Sequence, residues 1–377
     1  MSDPSCAAPS STPTHRLLPS PAGRIHLVEQ GSGPLVLLLH GFPESWYAWR
    51  HQMAALASAG YRAVAIDVRG YGRSSKPEAV DAYRMLDLIA DNVAVVEGLG
   101  ERSAVVVGHD WGATIAAMST LTRPDVFRAV GLLGVPYTPP GGPRPSEVFA
   151  RMGGAGADGP GAEGPGTGDE PGDEPGAERS EAGSSGVHPH PDAPLHPHPR
   201  PQEFYISYFQ QSGRAEAEME PDVRGWLAGF YAALSADTMP APGAPDPHFT
   251  GAGGTLRERF PVGVLPSWLG EGDLDVYAAE FERTGMTGAL NRYRNMDRDW
   301  ADLADWAGQA ITRPSLFIGG ERDASLAWLA DAVKAYPETL PGLLGSHILD
   351  GCGHFVQQER PEETNRILLD WLASLPA

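Results

Sequence analysis

Short, unbroken apolar runs punctuate the chain, each followed by glycine or a polar turn. Leu35-Val-Leu-Leu-Leu39 runs into His40-Gly-Phe-Pro43. The pattern recurs at 63–66, 104–107, 130–133 and 315–318, with a more mixed stretch at 24–29. Runs of this length without alternation read as strands buried on both faces. Helical periodicity fills the gaps at 46–59, 85–98 and 111–121. Strands alternating with helices predict an α/β fold, with a mostly parallel sheet flanked by helices.

The alternation stops after Val135-Pro-Tyr137 and resumes only near Arg313. The roughly 175 residues between are too many for a connection inside one compact domain. They predict an inserted, mainly α-helical cap domain, with helical periodicity at 203–211, 222–234 and 274–300. The expected organisation is a tail over 1–15, a core domain over 16–137 and 307–377, and the cap over 138–306. Within the cap, residues 151–200 hold 12 Gly and 9 Pro, and a net charge of −6. So few apolar residues cannot offset chain entropy, so this tract and the Pro/Ser-rich tail are expected to be disordered. Its histidines, His188, His190, His196 and His198, read as a solvated His-Pro stretch and not as a metal site, because no ordered frame holds them.

Composition narrows the function. Gly and Pro make up 82 of 377 residues, about 22% against roughly 12% in average proteins. Outside 151–200 the share is still 61 of 327, so the excess also marks loops elsewhere. The net charge of −20 argues against nucleic-acid or anionic-membrane partners, which need a basic surface. No apolar run reaches the ~18 residues of a membrane span, and the N-terminal segment lacks the features of a secretory signal. Cys6 and Cys352 form no disulfide framework or zinc motif. The expected location is the cytoplasm; nothing calls for a cofactor or metal, and the oligomeric state is not readable.

Three glycine-rich turns carry the candidate chemistry. Gly108-His-Asp-Trp-Gly112 lies between a predicted strand and a predicted helix, where the middle residue of a G-x-nucleophile-x-G turn is presented. That residue is Asp110. Gly319-Gly-Glu-Arg-Asp323 follows another strand and offers Asp323, with Glu321 as its neighbour and competitor. Gly351-Cys-Gly-His354 offers His354 as a base that Asp323 would orient. The order Asp110, Asp323, His354 is that of α/β-hydrolases. The backbone N–H groups of Phe42, in the His40-Gly-Phe-Pro43 turn, and of Trp111 would form an oxyanion hole. The side chains of the same two residues would line the substrate site. A carboxylate nucleophile suits attack on sp³ carbon, because the resulting alkyl ester can be hydrolysed, and His354 would activate the water.

These motifs together resemble the epoxide hydrolases of the α/β-hydrolase superfamily. The resemblance rests on HGFPESWYAWR (40–50), DVRGYGRSSKP (67–77), VGHDWGA (107–113), GGERD and GCGHF, and covers about 24–137 and 202–377. It implies two cap tyrosines that hydrogen-bond the epoxide oxygen. Phe204-Tyr-Ile-Ser-Tyr-Phe209 supplies Tyr205, with Tyr208 as the competitor, and Leu290-Asn-Arg-Tyr-Arg-Asn295 supplies Tyr293. Arg292 departs from the pattern, which usually has an aromatic residue before this tyrosine. The implied partners are a small apolar epoxide and water, with detoxification one role open to such an enzyme. A haloalkane or haloacid dehalogenase shares the Asp nucleophile, but the paired tyrosines and Phe42 favour the epoxide. A non-catalytic ligand-binding protein of the same fold is disfavoured by the cost of burying an idle charged triad.

Overall fold

The computed structural model describes residues 12–154, 202–251 and 253–376. Its strands are β1 (Thr14–Ser20), β2 (Gly23–Gly31), β3 (Leu35–Leu39), β4 (Arg62–Ile66), β5 (Ala104–His109), β6 (Phe127–Leu133), β7 (Glu203–Phe204), β8 (Phe249–Thr250), β9 (Ser315–Gly320) and β10 (Leu343–Leu349). Eight of them form one sheet in the order β1-β2-β4-β3-β5-β6-β9-β10, while β7 and β8 pair separately. From β4 to β10 every pairing is parallel; β1 with β2, and β2 with β4, are antiparallel.

Both faces of the sheet are covered, which is why the central strands read as unbroken apolar runs. Successive side chains alternate between faces. Val36, Leu38, Val105 and Val107 pack with Met53 and Leu56 of α1 (Arg50–Ser58) and with Ile367, Leu368 and Trp371 of the C-terminal helix Pro361–Ser374. Leu37, Leu39 and Val106 face the other way, with Val95 and Val96 of α2 (Met85–Gly98) and Ile115 and Ala116 of α3 (Trp111–Thr122). Burying each such Leu, Ile or Val side chain contributes about 1.5–3 kcal/mol.

The strand order also positions the site. β3 lies between β4 and β5, so the chain leaves β3 towards one side and β5 sits on the other. The carboxyl ends of β3 and β5 are therefore the switch point of the sheet, the place where open α/β sheets bind ligands.

The segment between β6 and β9 carries the cap helices: α4 (Pro145–Gly154), α5 (Tyr205–Gln210), α6 (Arg214–Met219), α7 (Val223–Leu234), α8 (Glu271–Thr284), α9 (Thr287–Tyr293) and α10 (Met296–Asp302). Four expectations need correction. The tail does not extend to residue 15, because β1 begins at Thr14 and pairs His15 with Val28. Its Pro19 is compatible with an edge strand, where a missing N–H is harmless. The helical stretch at 274–300 is three helices, broken at Gly285 (φ 70°) and again after Tyr293. Residues 203–204 belong to a strand, with helix starting at Tyr205. Residues 151–154 end α4, whereas 155–200 and the four histidines lie outside the described residues, as do 1–11.

Cap and core meet backbone to backbone where α9 crosses the loop after β4. A Cβ on Gly288 would lie 2.5 Å from the Gly70 carbonyl oxygen, and one on Gly70 2.7 Å from that of Gly288. Alanine at 288 gains about 1 kcal/mol of helix propensity but must push two backbones apart, at about 1–3 kcal/mol. Gly288→Ala is expected to lower the thermal midpoint; an unchanged or higher midpoint would show that the seam has slack.

Candidate active site

Asp110 follows β5 and precedes α3 with φ 53° and ψ −121°. Among the described residues it is the one non-glycine residue at positive φ. This conformation costs of order 1–3 kcal/mol and is typical of residues held for function. The turn is possible because a Cβ on Gly108 would come within 1.9 Å of the Gly112 carbonyl oxygen, and one on Gly112 within 2.0 Å of that of Leu39.

The strained turn delivers the Asp110 carboxylate to two neighbours. The Phe42 N–H donates to its Oδ1 at 2.7 Å. His354 Nε2 stands 3.5 Å from its Oδ2, and His354 Nδ1 lies 2.9 Å from Asp323 Oδ2. Trp111 opens α3, so its N–H is one of those that a helix leaves unpaired at its start. Asp323 caps the helix Ala324–Trp328, its Oδ1 accepting from the Ser325 N–H at 2.9 Å, which fixes the carboxylate opposite His354. Glu321 is exposed and accepts instead from the Gly351 N–H at 2.8 Å, tying down the turn before His354.

Tyr205 and Tyr293 come from α5 and α9 and meet edge to face, with ring centroids 6.2 Å apart. Both line one narrow cavity of about 40 Å³ with Phe42, Asp110, Asp323 and His354. Tyr208 points elsewhere: its hydroxyl donates to Glu218 at 2.6 Å and Arg214 stacks on its ring. A larger cavity of about 340 Å³ opens beside Asp110 and Trp111. Ala113, Ala117 and Met118 of α3, Val148 and Phe149 of α4, and Tyr205 are among its walls.

The model of the alpha/beta hydrolase fold matches residues 34–152. Epoxide hydrolase B of Mycobacterium tuberculosis is 38% identical over 395 residues, covering 96% of this chain and 98% of that protein. Epoxide hydrolase A of the same organism is also 38% identical, over 372 residues, with the same coverage. Among solved structures, an epoxide hydrolase from an endophytic Streptomyces superposes with a TM-score of 0.82 at 58% identity, covering 96% of this chain and 95% of that one. The chain belongs to the epoxide hydrolase family.

Two further residues of this epoxide hydrolase support the site, and the sequence reading passed over them. Glu44 and His109 are fully buried. His109 Nδ1 is 2.8 Å from Glu44 Oε2, and its Nε2 is 2.8 Å from the His354 carbonyl oxygen. Gln357 and Gln358 donate to the other Glu44 oxygen at 3.0 and 2.9 Å. Both residues sit inside the quoted motifs, HGFPE and GHDWG, so the available signal was an acid two residues after Phe42 and a histidine next to Asp110. Among the described residues, no cluster of three or more His, Cys, Asp or Glu could hold a metal, and no helix is long and apolar enough to cross a membrane.

The electrostatics follow from burial and pairing. Burial opposes the charge on Asp110, but the hydrogen bond and charge of His354, with help from His109 and the Phe42 N–H, hold its carboxyl below the usual range. Asp323 is likewise held low against burial, chiefly by His354. Burial pulls the His354 imidazolium down, yet Asp323 and Asp110 together raise it well above the ordinary histidine value. The phenols of Tyr293 and Tyr205 are pushed up by burial and by the Asp110 charge, so both stay protonated as donors.

A raised value means that the proton is kept at neutral pH and lost only on the alkaline side. In the resting enzyme His354 is therefore expected to give an imidazolium signal at pH 7.5 in histidine-labelled NMR. Asp110→Asn, which removes one of the two charges, should shift its midpoint down. A neutral His354 at pH 7.5 in the unaltered protein would contradict this account.

Proposed function

We propose that this enzyme hydrolyses an apolar epoxide to a vicinal diol in two covalent steps, with Asp110 as nucleophile. The observation that carries the reading is one cavity lined together by the Asp110 carboxyl, the Asp323–His354 pair and the two tyrosines, Tyr205 and Tyr293. In the first step an oxygen of Asp110 attacks an epoxide carbon, and the carbon–oxygen bond of the ring breaks. Tyr205 and Tyr293 donate hydrogen bonds to the departing oxygen, which would otherwise leave as a poorly stabilised alkoxide. That oxygen ends as a hydroxyl, its proton drawn from the tyrosine pair and restored to it from the His354 imidazolium.

The ester is neutral, so His354 loses one of the two charges that raised its affinity for a proton. It can then act as a base on water, which attacks the Asp110 carboxyl carbon. The negative oxygen formed there is met by the Phe42 N–H, already 2.7 Å from Oδ1, and by the Trp111 N–H. Collapse breaks the ester, the second diol oxygen takes up the proton His354 had removed, and the proton left on the Asp110 carboxyl passes to His354, restoring the carboxylate and imidazolium. Preorganised donors of this kind are each worth about 10²–10³ in rate.

The cavities support a substrate class. The large apolar chamber suits one bulky apolar substituent, while the narrow one beside His354 leaves room for little on the other carbon. The buried, free thiol of Cys352 suits the cytoplasm we assign.

A single turnover in ¹⁸O-labelled water tests the mechanism. The first diol released should carry unlabelled oxygen from Asp110; label in that first product would mean direct attack by water. His354→Gln is expected to accumulate a mass adduct of one substrate on Asp110, and an enzyme without adduct after epoxide exposure would remove His354 from the base role. Tyr293→Phe should slow ester formation by about 10²-fold or more while its hydrolysis changes little. Equal slowing of the two steps would sink the donor assignment.

A further inference from the structure

Arg292 is buried, at 3% exposed, directly before Tyr293 on α9. Its guanidinium carbon lies 4.8 Å from the centre of the Trp111 ring. The same group donates to the Tyr83 carbonyl oxygen and is ion-paired with Asp299 of α10. Asp299 in turn accepts from the Met85 N–H, at the start of α2, at 2.6 Å. Trp111 meets Tyr293 edge-on, with ring centroids 5.2 Å apart, and Phe42 meets Tyr293 in the same manner at 5.4 Å.

Filling this space with an aromatic side chain would need no dehydrated charge, whereas a buried ion pair often gains nothing over apolar packing. The charge therefore calls for a use beyond packing. Its place offers one: guanidinium, indole and phenol follow one another, ending at the tyrosine that faces Asp110. Burial pulls the guanidinium down to about 9, with the Tyr71 and Tyr293 phenols opposing that pull, so it keeps its charge at neutral pH.

We propose that Arg292 is a positioning residue for ring opening, which clamps Trp111 against Tyr293 and sets a fixed positive charge behind the phenol that faces the departing oxygen. The inference rests on the two-step reading, with Tyr293 as a donor. Ring opening builds negative charge on the epoxide oxygen, so it should feel this charge. Ester hydrolysis builds charge at the Asp110 carboxyl, where Phe42 and Trp111 N–H groups act, and should feel it much less.

The test is stopped-flow single turnover, followed by tryptophan fluorescence and by the mass of the quenched protein, on the full chain with a terminal aryl epoxide. Arg292→Met should slow ester formation at least about tenfold, with ester decay changed less than about threefold. Arg292→Lys keeps the charge and loses the planar fork that stacks and binds in two directions. It should recover part of the loss, again in ester formation alone. If Arg292→Met does not fold, the lysine variant decides: selective slowing of ester formation supports the proposal. Equal slowing of both steps, no slowing, or a lysine variant no better than a folded methionine variant overturns it. Absence of any ester in the unaltered enzyme would instead overturn the two-step mechanism itself.

Discussion

A carboxylate stripped of bulk water at the end of a central strand cannot stand alone, and the rest of the site answers to that constraint. Asp110 keeps its charge in the interior because the Phe42 N–H and the His354 imidazolium face it. The second carboxylate, Asp323, makes the imidazolium tolerable in turn. Glu44 and His109 repeat the arrangement one layer deeper, with the His354 backbone as the link. The Asp110, His354 and Asp323 charges are each paired with an opposite and hydrogen-bonded further, the condition under which buried ions persist. Under the two-step reading, this balance is also the switch between steps. Neutralising Asp110 as an ester leaves His354 with one carboxylate partner where it had two.

Much of this was legible because the chemistry sits at the ends of elements that the sequence pattern marks clearly. The runs before Phe42, Asp110, Asp323 and His354 read as strands, and the glycines beside them read as turns. The position of Asp110 was evident because G-x-D-x-G needs both glycines for steric reasons that the two close backbone approaches bear out. Choosing Tyr205 over Tyr208 required coordinates. Both lie on a six-residue helix, and only a partner outside it, Glu218, shows which one faces away.

The remainder was hidden for identifiable reasons. β1 is an edge strand of mixed residues around Pro19, with little of the apolar density by which the central strands stand out. The breaks near Gly285 and after Tyr293 interrupt a periodicity that runs on across them, since helices packed on the same surface keep apolar faces on one side. Glu44 and His109 resembled ordinary polar loop residues, because burial of a polar group is set by tertiary packing. Arg292 appeared only as a departure from a pattern; its ion pair is with Asp299, a helix away, and its aromatic partner belongs to the core.

One contact bears on how the molecule works as a machine. The last residue of α7, Leu234, accepts the backbone N–H of His354 at 3.0 Å through its carbonyl, and Tyr231 of the same helix donates to the Pro43 carbonyl at 2.8 Å. The cap is thereby the shelf on which the histidine loop rests. Lifting α7 away would carry off the support of the base and of the turn that holds Phe42. Opening the cap at α7 and keeping the His354 loop and the Phe42 turn in place are therefore at odds, because the same helix anchors both.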